Sequence, residues 1–215
     1  RTPLWTSIDL FDPAASGSMP RPNDVLAAKL IDTFDRWHED DRCRGFRTRP
    51  PHAQPWIMMG WADRAEVPGY ALLSLDLSRY CKNPKLWRER AADSLEFLSD
   101  SPVIKSNRGD GFSIAYDYET HQWLPRSNPL SQAQSLLGFA RAIRTADSGA
   151  YGDIDSAKWK EFLRKELDRI ADRVTAADWR PVSTNEAFAI APLVVGSELL
   201  GNDRLMDAAL RIADH

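Results

Sequence analysis

From Leu130 onward apolar side chains recur almost without a gap. Ala133, Leu136, Leu137, Phe139, Ala140, Ala142 and Ile143 cover nearly the whole circumference of a helix. That coverage marks a helix enclosed on most sides, not one lying on a surface. Ser127 or Asn128 can cap it, Pro129 suits the first helical position, and Gly149 supplies a stop. The next periodic stretch, residues 157–175, is different in kind. Trp159, Phe162, Leu163, Leu167, Ile170 and Val174 form one stripe, while Lys158, Lys160, Arg164, Lys165, Asp168 and Arg169 lie opposite. This is a half-wet helix.

The same order occurs on both sides of that pair. GYALLSLDLSRY is apolar nearly all round, turns at CKNP, and leads into the amphipathic KLWRERAADSLEFL. NEAFAIAPLVVGSELL is again apolar, turns at GNDR, and enters LMDAALRIADH. Asn83 matches Asn202 and Leu86 matches Leu205 in the two turns. Pro192 interrupts the third copy and should kink its helix or mark the true start. Alternation of a wholly apolar helix with an amphipathic one is what a double ring of helices demands, since inner helices have neighbours on all sides. A solenoid of stacked pairs would show a steadier period.

Upstream, Asn23 caps an expected helix to about His38, with Leu26, Ala27, Leu30, Ile31, Phe34 and Trp37 on one face. Residues 1–22, rich in Pro, Ser and Gly, read as an irregular lead-in, and residues 23–215 as the helical domain. The final helix is still in register at His215, so the expected array continues beyond it.

GYALLSLDLSRYCKNPKLW, SQAQSLLGFARAIRTA and ELLGNDRLMDAALRIADH resemble the helical hairpins of the (α/α) barrel superfamily, which includes six-hairpin glycosidases, polysaccharide lyases and sugar epimerases. The resemblance spans roughly residues 67–215. SQAQSLLGFARA is also loosely similar to a helix start of glucuronyl C5-epimerases. The implied fold is an all-α (α/α) barrel or toroid of helical hairpins. A closed ring of that kind needs about six hairpins, so a partial or truncated ring is expected, with long loops at one end. The resemblance further implies that ligand binds where those loops enter the inner helices. The loops are residues 39–67, 99–129 and 176–183.

Composition narrows the function classes. The net charge is −3, with no basic block, which argues against a nucleic-acid groove. The longest apolar run, residues 187–195, is too short to span a bilayer, so no membrane is expected. Cys43 and Cys81 show no CxxC spacing or neighbouring His, so neither a metal nor a redox motif is expected, and a disulfide stays open. No organic cofactor is expected either. The start at Arg1 suits a secreted or periplasmic protein, or a trimmed one. Most of the eight tryptophans lie in segments between apolar runs, where exposed rings suit a planar or sugar-ring ligand.

The expected partner is therefore an oligo- or polysaccharide. Phe112 to Glu119 alternate as a strand that turns at ETHQ and returns through Trp123. Tyr116, Tyr118 and Trp123 can wall a sugar subsite, or simply pack that hairpin onto the helices. Asp117, Glu119 and His121 share the other face at spacing two. Exposed turn residues account for that better than a metal does. A glycoside hydrolase needs two carboxylates. The candidates are Asp63 and Glu66 in the first loop, Asp117 in the second, and Asp178 or Glu186 in the third; Asp63 lies beside Arg64, and Glu186 heads an apolar helix where desolvation favours a bound proton. A lyase or C5-epimerase acting on uronic acids would instead use His121 or Tyr116 as base, with Arg47, Arg49 or Arg180 on the carboxylate. His52, Trp61, Asp117, Trp123, Gln132 and Trp179 complete the expected substrate-binding set, with Trp61, Trp123 and Trp179 over a single mouth. The third reading is a helical-repeat scaffold that binds without catalysis.

Overall fold

The computed structural model describes residues 22–48, 54–59, 70, 72–73, 77–105, 110–150, 152–181 and 183–215. His52, Trp61 and Asp63, the lead-in and much of the expected helix at 69–80 lie outside them. The chain divides into two units, Arg1–Asp35 and Arg36–His215. In the first, helix α1 (Pro22–Asp35) ends before Trp37. Trp37 belongs instead to a strand, a correction to the expected apolar stripe.

The second unit is mostly helical but opens with strands, which an all-α reading omits. Strand β1 (Trp37–Glu39) pairs antiparallel with β2 (Arg44–Phe46), joining Trp37 to Phe46 and Glu39 to Arg44. Strand β3 (Trp56–Met58) follows. Thus the expected long loop at 39–67 contains pieces of two small sheets. After a short 3-10 turn at Leu77–Arg79 comes α2 (Pro84–Leu98), whose cap Asn83 accepts a hydrogen bond from the Leu86 amide at 3.2 Å. Strands β4 (Val103–Ile104) and β5 (Gly111–Phe112) pair with each other. Strands β6 (Ala115–Asp117) and β7 (Gln122–Trp123) complete an antiparallel sheet in the order β3, β6, β7.

The remaining helices follow the pattern of the sequence closely. Helix α3 (Pro129–Asp147) is capped by Asn128, whose side chain accepts from the Ser131 amide at 2.8 Å, and Gly149 beyond its end has φ 64°. Leu136, Phe139, Ala140, Ala142 and Ile143 are fully buried. Helix α4 (Ala157–Thr175) buries the predicted stripe. A 3-10 turn, Thr184–Ala189, leads into α5 (Ile190–Leu200), and Asn202 precedes α6 (Asp203–Ala213). Pro192 sits in the first turn of α5, where a missing N–H costs no intrahelical bond.

Helices α3 and α5 lie side by side, α4 and α6 lie side by side, and each consecutive pair packs as a hairpin. Arg211 of α6 donates to the carbonyls of Thr175 and Ala176 at 3.2 and 2.8 Å, so the tails of α4 and α6 meet. Hairpin geometry then places the heads of α3 and α5 at that same end. The core between these layers is aromatic as well as aliphatic. Phe162 of α4 lies 5.2 Å from Phe112 and 4.9 Å from Phe139, centroid to centroid. Gly196 of α5 lets the backbone come against Leu167, since a Cβ there would overlap that side chain.

Helix α2 departs from the expected repeat. It packs along β2 and touches α4 chiefly at its own tail, where Lys158 pairs with Glu96 and Asp100 at 3.1 and 2.9 Å. Its buried face carries Ala91, Ser94, Leu95 and Leu98, and the inner partner expected for it lies mostly outside the described residues. Gly45 makes the approach to β2 close: a Cβ at that position would lie 2.7 Å from Ile57 and 3.4 Å from the Ser94 hydroxyl. Among the described residues the side-by-side helix hairpins are those of α3–α6, and α5, expected to be enclosed, buries only Pro192, Leu193, Gly196 and Ser197. No helix there is long and apolar enough to cross a membrane.

Candidate functional site

The end of the array where α3 and α5 begin gathers four of the expected residues. Glu186 lies in the 3-10 turn that packs against α3, is 2% exposed, and has its Oε2 3.9 Å from the Arg173 guanidinium near the tail of α4. Gln132 is buried in the first turn of α3, and its amide donates to the Ser127 hydroxyl. A Cβ on Gly111 would overlap that amide, so a glycine in β5 is what lets Gln132 lie where it does. Beside Gln132 the Ser131 hydroxyl is wholly buried and has no hydrogen-bond partner among the described residues. Trp179 is buried, with the His215 ring edge-on at 5.3 Å, and exposed Arg180 donates to the Trp179 carbonyl at 2.6 Å.

A second group sits on the β3–β6–β7 sheet. Trp123 stacks on Phe97 of α2 at 5.4 Å, and Tyr116 meets both rings edge-on at 5.3 and 5.0 Å. These rings therefore close the sheet onto α2, and Tyr116 is buried. Burial first, and then the neighbouring Cys43 and Asp40, push its phenol pKa upward. Trp123 and Trp179 pack on different elements, and Trp61 is not among the described residues. Asp117 turns the hairpin: its Oδ1 accepts from the Glu119 and Thr120 amides at 3.0 and 2.9 Å. His121 follows with φ 56°, and its buried Nδ1 has no hydrogen-bond partner among the described residues. Arg47 points its Nε to the Arg36 carbonyl at 3.4 Å, and Arg36 donates back to the Arg47 carbonyl at 3.1 Å.

Two further features escaped the sequence reading. A groove of about 630 Å³ runs between α2 and residues 152–155, with Glu89, Asp93, Asp153 and Asp155 on its walls and the buried Trp159 at its floor. The Trp159 indole N–H has no acceptor among the described residues. Only the tertiary approach of the loop to α2 makes this groove, so no local pattern announces it.

The other feature is a polar cluster at the turn of the β1–β2 hairpin. His38 Nε2 lies 2.9 Å from Asp40 Oδ2, and the Cys43 thiol donates to that same oxygen at 3.4 Å. Asp40 Oδ1 accepts from the amides of Arg42 and Cys43, each at 2.8 Å. Burial works to raise the Asp40 pKa, but the Arg42 amide, the His38 ring and Cys43 outweigh it and hold the carboxyl well below its usual range. Burial of Cys43, helped by Asp40, pushes its thiol up to about 12. Cys43 thus does have a histidine neighbour, brought by the hairpin rather than by adjacency. Cys43 and Cys81 are both free thiols.

The chain matches no protein-family model, no curated protein and no solved structure.

Proposed function

We propose that this protein processes a carbohydrate, as a glycoside hydrolase whose α3–α6 array is a sector of an (α/α) toroid. The substrate meets the array at the end where α3 and α5 begin. One observation carries the reading: a carboxylate, Glu186, is enclosed at the head of α5, in a turn packed on α3, with Arg173 beside it. Glu186 acts as the proton donor to the departing oxygen, and Asp63, outside the described residues, supplies the second carboxylate that such hydrolysis requires. Arg173 positions the Glu186 carboxyl. Gln132, at the head of α3, offers its amide to sugar hydroxyls, and Trp179 and Arg180 flank the approach.

The test is a panel of neutral and uronic-acid oligo- and polysaccharides with analysis of products. New reducing ends without an unsaturated product support the hydrolase. An unsaturated uronide, or solvent deuterium at C5, would replace it with a lyase or epimerase built on Tyr116, His121 and Arg47. Binding without turnover across the panel would leave the scaffold.

A further inference from the structure

We infer that His38, Asp40 and Cys43 form a binding site for a divalent transition metal of the zinc class, at the turn of the β1–β2 hairpin. Their donor atoms, an imidazole nitrogen, a carboxylate oxygen and a sulfur, all lie within 4.8 Å of one another. The measured edges are 2.9 Å from His38 Nε2 to Asp40 Oδ2, and 3.4 Å from that oxygen to Cys43 Sγ. A tetrahedral ion with bonds of about 2.0–2.3 Å holds adjacent ligands roughly 3.3–3.8 Å apart. The Cys43–Asp40 edge falls in that range, the His38–Asp40 edge is shorter and the third is no more than 4.8 Å, so small side-chain rotations bring the three donors onto one face of such a tetrahedron.

The surroundings hold the ligands in place. The amides of Arg42 and Cys43 fix one Asp40 oxygen, leaving the other directed at His38 and Cys43. The His38 ring is stacked on Tyr118, with centroids 4.3 Å apart. Such outer contacts are what orient first-shell ligands in metal sites. Cys43 forms the inner wall at 2% exposure, while the side chains of His38 and Asp40 are 23% and 31% exposed. An ion can reach the site from solvent and keep a water at its fourth position.

The donor set selects the metal. Calcium and magnesium take oxygen ligands, whereas nitrogen and sulfur suit zinc and cobalt. As the Cys43 Sγ–metal bond forms, the thiol S–H bond breaks and its proton passes to solvent, with no change of oxidation state. The hydrogen bonds among the three residues are what the ion displaces. This site is separate from the Glu186 end of the array and stands or falls independently of the hydrolase reading.

The probe is cobalt(II) added to the full chain prepared without a polyhistidine tag, followed by displacement with zinc(II). The expected result is equimolar cobalt with a thiolate-to-metal charge-transfer band and the strong visible bands of tetrahedral cobalt, both erased by zinc. Cys43→Ser abolishes the charge-transfer band, and Cys81→Ser leaves it unchanged. Because Cys43 is buried, His38→Gln provides a second variant at the solvent side, with folding checked by circular dichroism. It weakens zinc binding at least about 100-fold, the upper end of the loss expected for an outer-shell partner. No band, a band that survives Cys43→Ser or vanishes with Cys81→Ser, or unchanged zinc affinity in His38→Gln would overturn the site.

Discussion

Asp117 illustrates how a single carboxylate shapes this chain. Its Oδ1 takes the Glu119 and Thr120 amides, and those bonds, led by the Thr120 amide, lower its pKa from the ordinary 3.8. A depressed folded-state pKa gives stability that is present above the unfolded pKa and lost as pH falls through the folded one. Replacing Asp117 by Ala should cost about 1 kcal/mol near neutral pH, for the loss of the turn's acceptor. Asp117→Asn keeps an acceptor and loses the charge. Its urea midpoint should lie below that of the parent near neutral pH and approach it as pH drops below the ordinary carboxylate range. A constant gap between the two curves would show that the charge plays no part. At this scale the sequence was partly legible. The ETHQ turn and its flanking strands are where alternation put them, but alternation cannot say that Phe97 lies across Tyr116 and Trp123. That contact joins residues distant in the chain. The cluster of His38, Asp40 and Cys43 was missed for a related reason: spacing two and three is ordinary in a polar turn until the hairpin folds it.

Among elements, the helices with strong periodicity were read almost to the residue, and the strands outside the ETHQ hairpin were not. Helix α4 carries its stripe for five turns, so its limits follow from pattern alone. The strands are two or three residues long, too short for a period of two to stand out, and they lie in segments rich in Pro and Arg. Helix α2 was recognised, but its neighbour β2 was not foreseen, because an amphipathic face says only that something covers it. The close approach of α4 and α5 rests on Gly196. Alanine there gains about 1 kcal/mol of helix propensity, but overpacking against the fully buried Leu167 costs typically about 1–3 kcal/mol. The net expectation for Gly196→Ala is a loss of up to about 2 kcal/mol, measured by chemical denaturation. Shortening the obstacle should relieve it, so the Gly196→Ala, Leu167→Ala pair should cost less than the two singles summed. Additive losses would mean that the helices do not meet there. Phe162→Ala removes the ring between Phe112 and Phe139 and should cost about 3–5 kcal/mol.

For the molecule as a whole, the account turns on the heads of α3 and α5 sharing one end with the tails of α4 and α6. That arrangement brings Gln132, Trp179, Arg180 and Glu186 to one end, while Tyr116, Asp117, His121 and Trp123 belong to the sheet that closes on α2. The helices were legible because an apolar stripe marks a face that packs on protein, but the pattern overstated the enclosure of α5, which buries only Pro192, Leu193, Gly196 and Ser197. Which end of the array carries the chemistry was suggested only by the contrast between long and short connections. Glu186 is where that suggestion becomes measurable. The most direct test compares turnover and binding of a cleaved glycan by the parent chain and by Glu186→Gln. Loss of a proton donor should lower kcat by about 100- to 10,000-fold while glycan affinity stays within a few-fold. Turnover by Glu186→Gln at the parental rate would contradict the account.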